Sequence, residues 1–164
     1  MPIPIALIAA ATLAVATPTP TPKPAPGATV SVASVQPAWR AVRADTIGDL
    51  LFTTQTLNGR VRFVAQGLKN PVPVTTVDFT PDSVRTWTSS AAALAANPSP
   101  KMGDMRGLGL ALTLNVTTTA SGQSAFGFYV GDAVTDQQIA LALTKENVVK
   151  LTSDVNSALD TIGH

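Results

Sequence analysis

The sequence predicts an α+β protein in which antiparallel sheets pack with two helices, arranged as a tandem βββα repeat. Three observations predict this class. Short runs alternate between apolar and polar residues, as half-buried strands do. Two helix-start signals each follow the third such run of their half. The two halves, at about 45–98 and 107–162, also superpose without gaps at an offset of 64 residues.

The strands of the first half are predicted as follows. Leu50–Leu57 is a strand, and Asn58-Gly59 after it tolerates the positive φ of a tight hairpin turn. Arg60–Val64 is the second strand of the hairpin, and Val74–Phe79 is the third. Upstream, Thr29–Val35 suits a short strand, whereas Trp39–Arg43 remains unassigned.

The first helix has a clear beginning and end. Thr80 is its N-cap, Pro81 is at the first helical position, and Asp82 favours the positive end of the helix dipole. Asn97-Pro98 ends the helix, and a loop is expected at Lys101–Arg106. The apolar stripe comprises Val84, Trp87, Ala91, Leu94 and Ala95.

The second half follows the same order. A long strand is predicted from Leu108 to Val116, a turn at 120–123, and further strands at Phe126–Val130 and Ile139–Leu143. Thr144 caps the second helix, which carries Glu146 in its first turn. Its apolar stripe comprises Val148, Leu151, Val155, Ala158, Leu159 and Ile162.

A tandem duplication explains this parallel order. At the offset of 64, Gly67 meets Gly131 and Thr80 meets Thr144, although matching Phe63 to Phe128 needs an offset of 65. The alternative is that two strand-to-helix junctions use the same capping chemistry. One βββα unit cannot bury its sheet face with a single helix, so the two units are expected to share a core. This element order resembles the Whirly-type fold, which implies single-stranded nucleic-acid binding, but no sequence motif matches it.

The N-terminus predicts export. Ile5–Val15 is an apolar run of signal-peptide length, and Ala14-Val15-Ala16 supplies a small-residue cleavage site. No Lys or Arg precedes Ile5, which departs from the usual signal peptide. We therefore predict a signal peptide at 1–16, a Pro-rich linker at 17–28 and a single domain at 29–164, periplasmic or secreted. The run is too short to span a bilayer, so the mature chain is expected to have no transmembrane anchor.

The composition excludes most familiar catalytic centres. The chain has no Cys, and its one His is the final residue, His164. Ser-His-Asp and Cys-His catalysis and zinc sites therefore lack their essential side chains. No catalytic, cofactor-binding or metal-binding residue is assigned, and no cofactor is expected. Whether the protein is an enzyme stays open, with the non-enzymatic interpretation preferred.

Carboxylates are the remaining candidates for catalysis. A carboxylate-dependent hydrolase acting on an extracytoplasmic substrate requires two of them in one cleft. This alternative predicts that Asp132, Asp136 or Asp78 line a common cleft. Gly131-Asp132 with Asp136 also suggests Ca²⁺, but the segment lacks the dense oxygen ligands of a known loop. The pairs spaced four apart are Asp45 with Asp49, Asp78 with Asp82, and Asp132 with Asp136.

The charge balance does not favour nucleic acid as a partner. Eleven Lys and Arg face ten Asp and Glu, whereas tight phosphate binding needs a strong positive field. The chain has nine basic and five acidic residues before residue 107, and two basic and five acidic residues after it, an asymmetry that makes self-association possible. A third hypothesis, single-stranded nucleic-acid binding, would use Arg60, Arg62, Lys69 and Arg85 with the aromatic residues Phe63 and Trp87.

The leading hypothesis combines export with the missing catalytic residues. It is an exported, non-enzymatic binding or structural module of the cell envelope, whose partner is a protein or an envelope component. Trp87 and Phe63 lie on apolar stripes, so both are expected in the core rather than on a nucleic-acid surface.

Overall fold

The computed structural model describes residues 37–98 and 105–162. The predicted signal peptide and linker, the strand at Thr29–Val35 and His164 lie outside the described residues. The described elements, in chain order, are β1 (Arg40–Ile47), β2 (Leu50–Leu57), β3 (Arg60–Gly67), β4 (Pro73–Thr75), α1 (Pro81–Ala96), β5 (Met105–Leu108), β6 (Leu112–Thr118), β7 (Ser124–Gly131), β8 (Gln138–Leu143) and α2 (Lys145–Ile162).

The strands form two antiparallel sheets, each followed by a helix. The order is β1-β2-β3-β4 in the first sheet and β5-β6-β7-β8 in the second. The predicted α+β class with antiparallel sheets and two helices is confirmed. Each sheet nevertheless has four strands rather than three, because an additional strand, β1 or β5, precedes the predicted three.

The prediction of one continuous strand at Leu108–Val116 is wrong, because a turn divides this segment between β5 and β6. The chain reverses at Gly109, which has a φ of +62°, and β5 then pairs with β6. Leu110 in this turn is 94% exposed, although it continues the apolar alternation of Leu108 and Leu112. Because the turn has three residues, apolar side chains continue to occur at every second position through it. The alternation alone therefore does not reveal that the chain reverses. Part of the predicted loop at Lys101–Arg106 accordingly belongs to β5.

The helix caps agree with the prediction. Thr80 has an extended backbone and its hydroxyl accepts the Ser83 amide hydrogen, with Pro81 at the start of α1. Thr144 accepts the Asn147 amide hydrogen in the same way at α2. All five residues of the predicted α1 stripe are buried, as are the predicted α2 residues up to Leu159.

A single hydrophobic core contains residues from both halves. The Phe52 ring stacks on Phe63 of its own sheet at 5.1 Å and meets Phe128 of the other sheet edge-on at 5.9 Å. The helices are exchanged, since α1 packs beside β5 and α2 packs beside β1, and the two helices also contact each other. The expectation of a shared core is confirmed, and each half completes the burial of the other.

Strand pairing shows that the gapless superposition of the halves is wrong. Phe79 and Leu143, which precede the two N-caps, differ by 64 in residue number. Their partners on the neighbouring strands, Val61 and Phe126, differ by 65. The partners of those two residues on the next strands, Thr56 and Val116, differ by 60. The β6–β7 turn (119–123) is three residues longer than the β2–β3 turn, and the β6–β7 ladder has one more residue pair between the turn and the pair of Val116 and Phe126, which together account for the larger change. Duplication therefore stays a prediction.

No helix among the described residues is long and apolar enough to span a membrane.

Candidate functional site

In two of the predicted carboxylate pairs, the two aspartates do not share a contact. Asp45 binds Arg43, whereas Asp49 binds Lys69 at 2.8 Å on the surface. Asp78 accepts the Arg60 Nε–H at 2.8 Å, and Asp82 is exposed in the first turn of α1. Arg60 lowers the pKa of the Asp78 carboxyl. Neither pair brings two carboxylates to one reaction centre.

The third pair, Asp132 and Asp136, lies in one cleft between the two sheets. The cavity has a volume of about 550 Å³ and is lined from three directions. Val77 and Phe79 come from the end of the first sheet, residues 108–111 from the β5–β6 turn, and 131–133 with 135–138 from the segment between β7 and β8. We call this cavity the seam cleft. Asp78, the third predicted member, is not among its lining residues.

The Asp132 carboxylate holds the wall of the seam cleft in place. Its Oδ1 accepts the amide hydrogens of Val134 and Thr135, both at 2.8 Å, and its Oδ2 accepts that of Thr75 in the first sheet at 3.1 Å. Ala133 in turn donates its amide hydrogen to the Thr75 carbonyl at 2.8 Å. These contacts connect β4 directly to the segment after β7.

The same hydrogen bonds determine the protonation state of Asp132. Backbone donors from Thr135, Val134 and Thr75 lower the pKa of its carboxyl to about 2. A group that is ionised at neutral pH and whose two oxygens are both bound by amides is a poor general acid or base. Its role is structural, and the charge it keeps contributes to the electrostatics of the cleft.

Apolar side chains border the seam cleft. Leu110 is 94% exposed on the β5–β6 turn, and Val77 is 43% exposed on the opposite side. Val134, at 93% exposed, belongs to the segment that forms the third wall. Leu110 and Val134 are the two most exposed large hydrophobic residues in the described part of the chain. Clustered apolar exposure of this kind marks interaction sites more often than isolated surface residues do.

A second charged cluster joins β1 to α2. Arg43 binds Asp45 on its own strand and Asp154 on the helix at 2.7 Å. Lys150 binds Asp154 at 2.6 Å and lies 3.8 Å from Asp45. Hydrogen bonding to Asp45, with the nearby charge of Asp154, raises the pKa of Arg43. Two cations and two carboxylates balance one another here, so the cluster connects the halves and has no unused charge for chemistry.

The side chains considered for nucleic-acid binding are mostly engaged elsewhere. Arg60, Lys69 and Arg85 each form an ion pair with a carboxylate of the same chain. Phe63 and Trp87 are buried, as expected from their stripes. Phe63 and Trp87 therefore do not provide the stacking surface that the third hypothesis assigned to them.

One aromatic contact on the outer face of the first sheet was missed by the sequence analysis. The Arg62 guanidinium lies 4.3 Å from the centre of the Trp39 ring, and its Nε–H binds Gln55 at 2.8 Å. Burial lowers the pKa of Arg62. Trp39 immediately precedes β1, in a segment whose sequence pattern gave no clear assignment.

The outer face of the second sheet contains a tightly packed glycine. A side chain at Gly127 would clash with the Asn115 carboxamide and approach the Tyr129 ring. The Asn115 Oδ1 is buried without a hydrogen-bond partner. Asn115 begins a formal glycosylation sequence, Asn-Val-Thr, but its carboxamide oxygen is buried against Gly127 of the neighbouring strand.

The described residues contain no group of three or more His, Cys, Asp or Glu side chains arranged to hold a metal ion. The calcium interpretation of Gly131, Asp132 and Asp136 also conflicts with the local hydrogen bonding. Both Asp132 oxygens accept amide hydrogens and so are not oriented as cation ligands.

Of the site residues, Asp132 and Asp136 were predicted from their spacing in the sequence, whereas the apolar residues around them were not. A signal for Val134 was present, because a large apolar residue stood alone between two aspartates in a polar loop. Leu110 gave no such signal, since it continued the alternation of a strand. The structure shows that Leu110 lines the same cleft as Asp132 and Asp136, and that Val134 lies between two of its lining residues.

Comparison with known proteins leaves the family undetermined. Neither the known family models nor the curated proteins give a match to this sequence. Among solved structures, the chain is similar to the crystal structure of WHY1 from Arabidopsis thaliana, with a TM-score of 0.34 and 13% sequence identity. That similarity covers 74% of this chain and 89% of the other.

Proposed function

We propose that this protein is an exported, non-enzymatic module that binds a protein or cell-envelope partner through the seam cleft. The observation that carries the proposal is the exposure of two apolar side chains, Leu110 and Val77, in the lining of one cavity of about 550 Å³. Leu110 is 94% exposed, and Val134, which is 93% exposed, lies in the chain between Ala133 and Thr135, two further lining residues. Exposed apolar surface around a concave site is typical of recognition surfaces.

The chemistry of the cleft favours binding over hydrolysis. Asp132 and Asp136 do share it, as the hydrolase alternative requires. However, Asp132 is held by three backbone amides and its pKa is lowered to about 2. A hydrolytic pair needs one carboxyl that exchanges a proton near the working pH. Binding requires no such group.

The proposal of export is supported by the N-terminal sequence alone. Ile5–Val15 has the length of a signal-peptide core, and Ala14-Val15-Ala16 supplies the cleavage pattern. Expression of the full chain in a secreting host, followed by N-terminal sequencing of the exported protein, tests this. The expected first residue is Thr17. Retention of the intact N-terminus inside the cell would contradict export.

Binding is tested with two matched surface variants. Leu110→Asp places a charge at the cleft, and Val149→Asp makes the same change on α2, where Val149 is 50% exposed. Both positions are on the surface, so both variants are expected to fold with stabilities within about 0.5 kcal/mol of wild type.

The two variants and the wild type are each immobilised and exposed to the extracytoplasmic fraction of the source cells, and retained proteins are quantified by mass spectrometry. We expect a partner retained by wild type and Val149→Asp and reduced at least tenfold on Leu110→Asp. An identical set of proteins on all three would refute a role for the seam cleft.

A further inference from the structure

The charges in the seam cleft all have one sign. Its lining residues include two carboxylates, Asp132 and Asp136, and no Lys, Arg or His. Asp136 is exposed and has no hydrogen bond or ion pair with any residue that the structure describes. Asp132 stays ionised at neutral pH because three amides stabilise its charge. The cavity therefore presents an uncompensated negative charge to whatever enters it.

This negative charge is adjacent to apolar surface. Val77 and Leu110 line the same cavity as the carboxylates, and Val134 lies between Ala133 and Thr135, which also line it. A partner that matches both features must bring an apolar side chain together with a positive charge. Nucleic acids and acidic glycans would place phosphate or carboxylate groups against Asp136, which is electrostatically unfavourable.

The dimensions indicate a small partner segment. A cavity of about 550 Å³ accommodates a few side chains, within the range typical of ligand and peptide sites. Such contact areas lie at the weak end of specific interfaces, so micromolar or weaker affinity is expected. A short extended segment fits this site better than a broad domain surface.

A second copy of this chain is the competing occupant. Three of its cations, Arg60, Lys69 and Arg85, each already pair with a carboxylate of their own chain at 2.8 Å, so self-association through them would exchange existing ion pairs for new ones, with little gain. Arg40 and Lys145 are exposed and form no ion pair among the described residues, so the experiment below includes dimerisation as a separate outcome.

We infer that the seam cleft binds a short segment of another protein in which a large apolar residue lies next to Lys or Arg. This inference rests on the proposed function and specifies its partner. The apolar side chain packs between Val77 and Leu110, and the neighbouring cation pairs with Asp136. Asp132 organises the wall and adds to the negative potential.

The test uses an array of nine-residue peptides with Gly and Ser flanks and a varied central pair. One central position carries Leu, Phe or Ala, and its neighbour carries Arg, Lys, Gln or Glu. The full chain is titrated against the bound peptides, and the best are confirmed by fluorescence anisotropy in 50 mM and 300 mM salt. We expect binding to Leu or Phe beside Arg or Lys, about tenfold weaker binding when Glu replaces the cation, and a loss of affinity in high salt.

Asp136→Asn and Asp82→Asn provide the matched pair of variants. Each removes one negative charge from an exposed carboxylate, and only Asp136 lines the cleft. Asp136→Asn should weaken binding of the cationic peptides about two- to fivefold, as expected for one exposed ion pair, whereas Asp82→Asn should leave it unchanged. Equal binding of Arg and Glu peptides, or equal effects of both variants, would overturn the inference.

The outcomes also separate this inference from the proposed function. If no peptide binds while a partner retained from cell extracts still depends on Leu110, the cleft functions but its occupant is wrong. If the chain dimerises in analytical ultracentrifugation and Leu110→Asp abolishes the dimer, the occupant is a second copy and the inference fails. If peptides bind Leu110→Asp as tightly as wild type, they do not pack on Leu110 and the inference fails, whereas the proposed function fails only if the retained partner is also indifferent to Leu110→Asp.

Discussion

Replacing Asp132 by Asn should loosen the connection between the two sheets. The wild-type carboxylate accepts amide hydrogens from Thr75, Val134 and Thr135 at 2.8–3.1 Å. Asn keeps the size of the side chain but loses the charge, and its amide group places a donor against one of these donors. The lowering of the pKa from 3.8 to about 2, discounted for partial exposure, corresponds to about 1–2 kcal/mol of folding free energy.

The sign of the pH dependence follows from the lowered pKa. Because the folded carboxyl has a lower pKa than the unfolded one, its stabilisation is fully present above about pH 4 and is lost as the pH falls toward 2. Urea denaturation of wild type and Asp132→Asn should therefore differ by about 1–2 kcal/mol at pH 7 and converge near pH 2. Asp136→Asn, whose carboxylate has no partner among the described residues, serves as the control and should match wild type. Equal stabilities at pH 7, or a difference that persists undiminished at pH 2, would refute the reasoning.

Two further predictions concern stability. Gly127→Ala should cost about 1–3 kcal/mol in thermal denaturation, because its Cβ would clash with Asn115, and adding Asn115→Ala should recover part of the loss; no recovery in the double variant would mean that the clash is elsewhere. Asp154→Asn should lower the free energy of unfolding by about 1–2 kcal/mol, because Asp154 is only 15% exposed and binds Arg43 directly. In a double-mutant cycle, Arg43→Ala should then cost less in the Asp154→Asn background than in wild type. The matched exposed carboxylate, Asp160, should cost less than about 0.5 kcal/mol when changed to Asn, and an equal loss at both sites would contradict the importance of the β1–α2 cluster.

Local sequence signals predicted the elements that depend on neighbouring residues. The caps at Thr80 and Thr144 follow from side-chain hydrogen bonding within four residues, and the structure confirms both. The turn at Asn58-Gly59 follows from the positive φ that these residues tolerate, and both have it. Such signals are contained within a few residues, so the tertiary structure does not alter them.

The errors arose where a pattern did not identify strand direction or strand partners. The alternation through Leu108, Leu110 and Leu112 was the same whether the chain continued or turned back at Gly109. β1 was not predicted because Arg43 and Asp45 face α2 and interrupt its apolar pattern with charge. Charged residues in a strand usually indicate an exposed face, whereas here they face a helix with which they form ion pairs. Their position therefore becomes clear only when the partner helix is known.

The candidate site was predicted in part for the same reason. Asp132 and Asp136 are close in sequence, so their association was expected, and the cleft contains both. Val77 and Leu110 are distant from them in sequence, and only the approach of the two sheets brings them to the same cavity. The backbone donor from Thr75, which fixes the charge state of Asp132, likewise comes from the other half.

The α+β class, the two capped helices and the apolar stripes that form the core could be predicted from residue type and from spacing along the chain. The fourth strand of each sheet, the packing of each helix beside the other half, and the cleft with apolar borders and negative charge between the sheets became visible only in the folded structure. Those features depend on contacts between residues far apart in the chain, whose free energies no local pattern encodes.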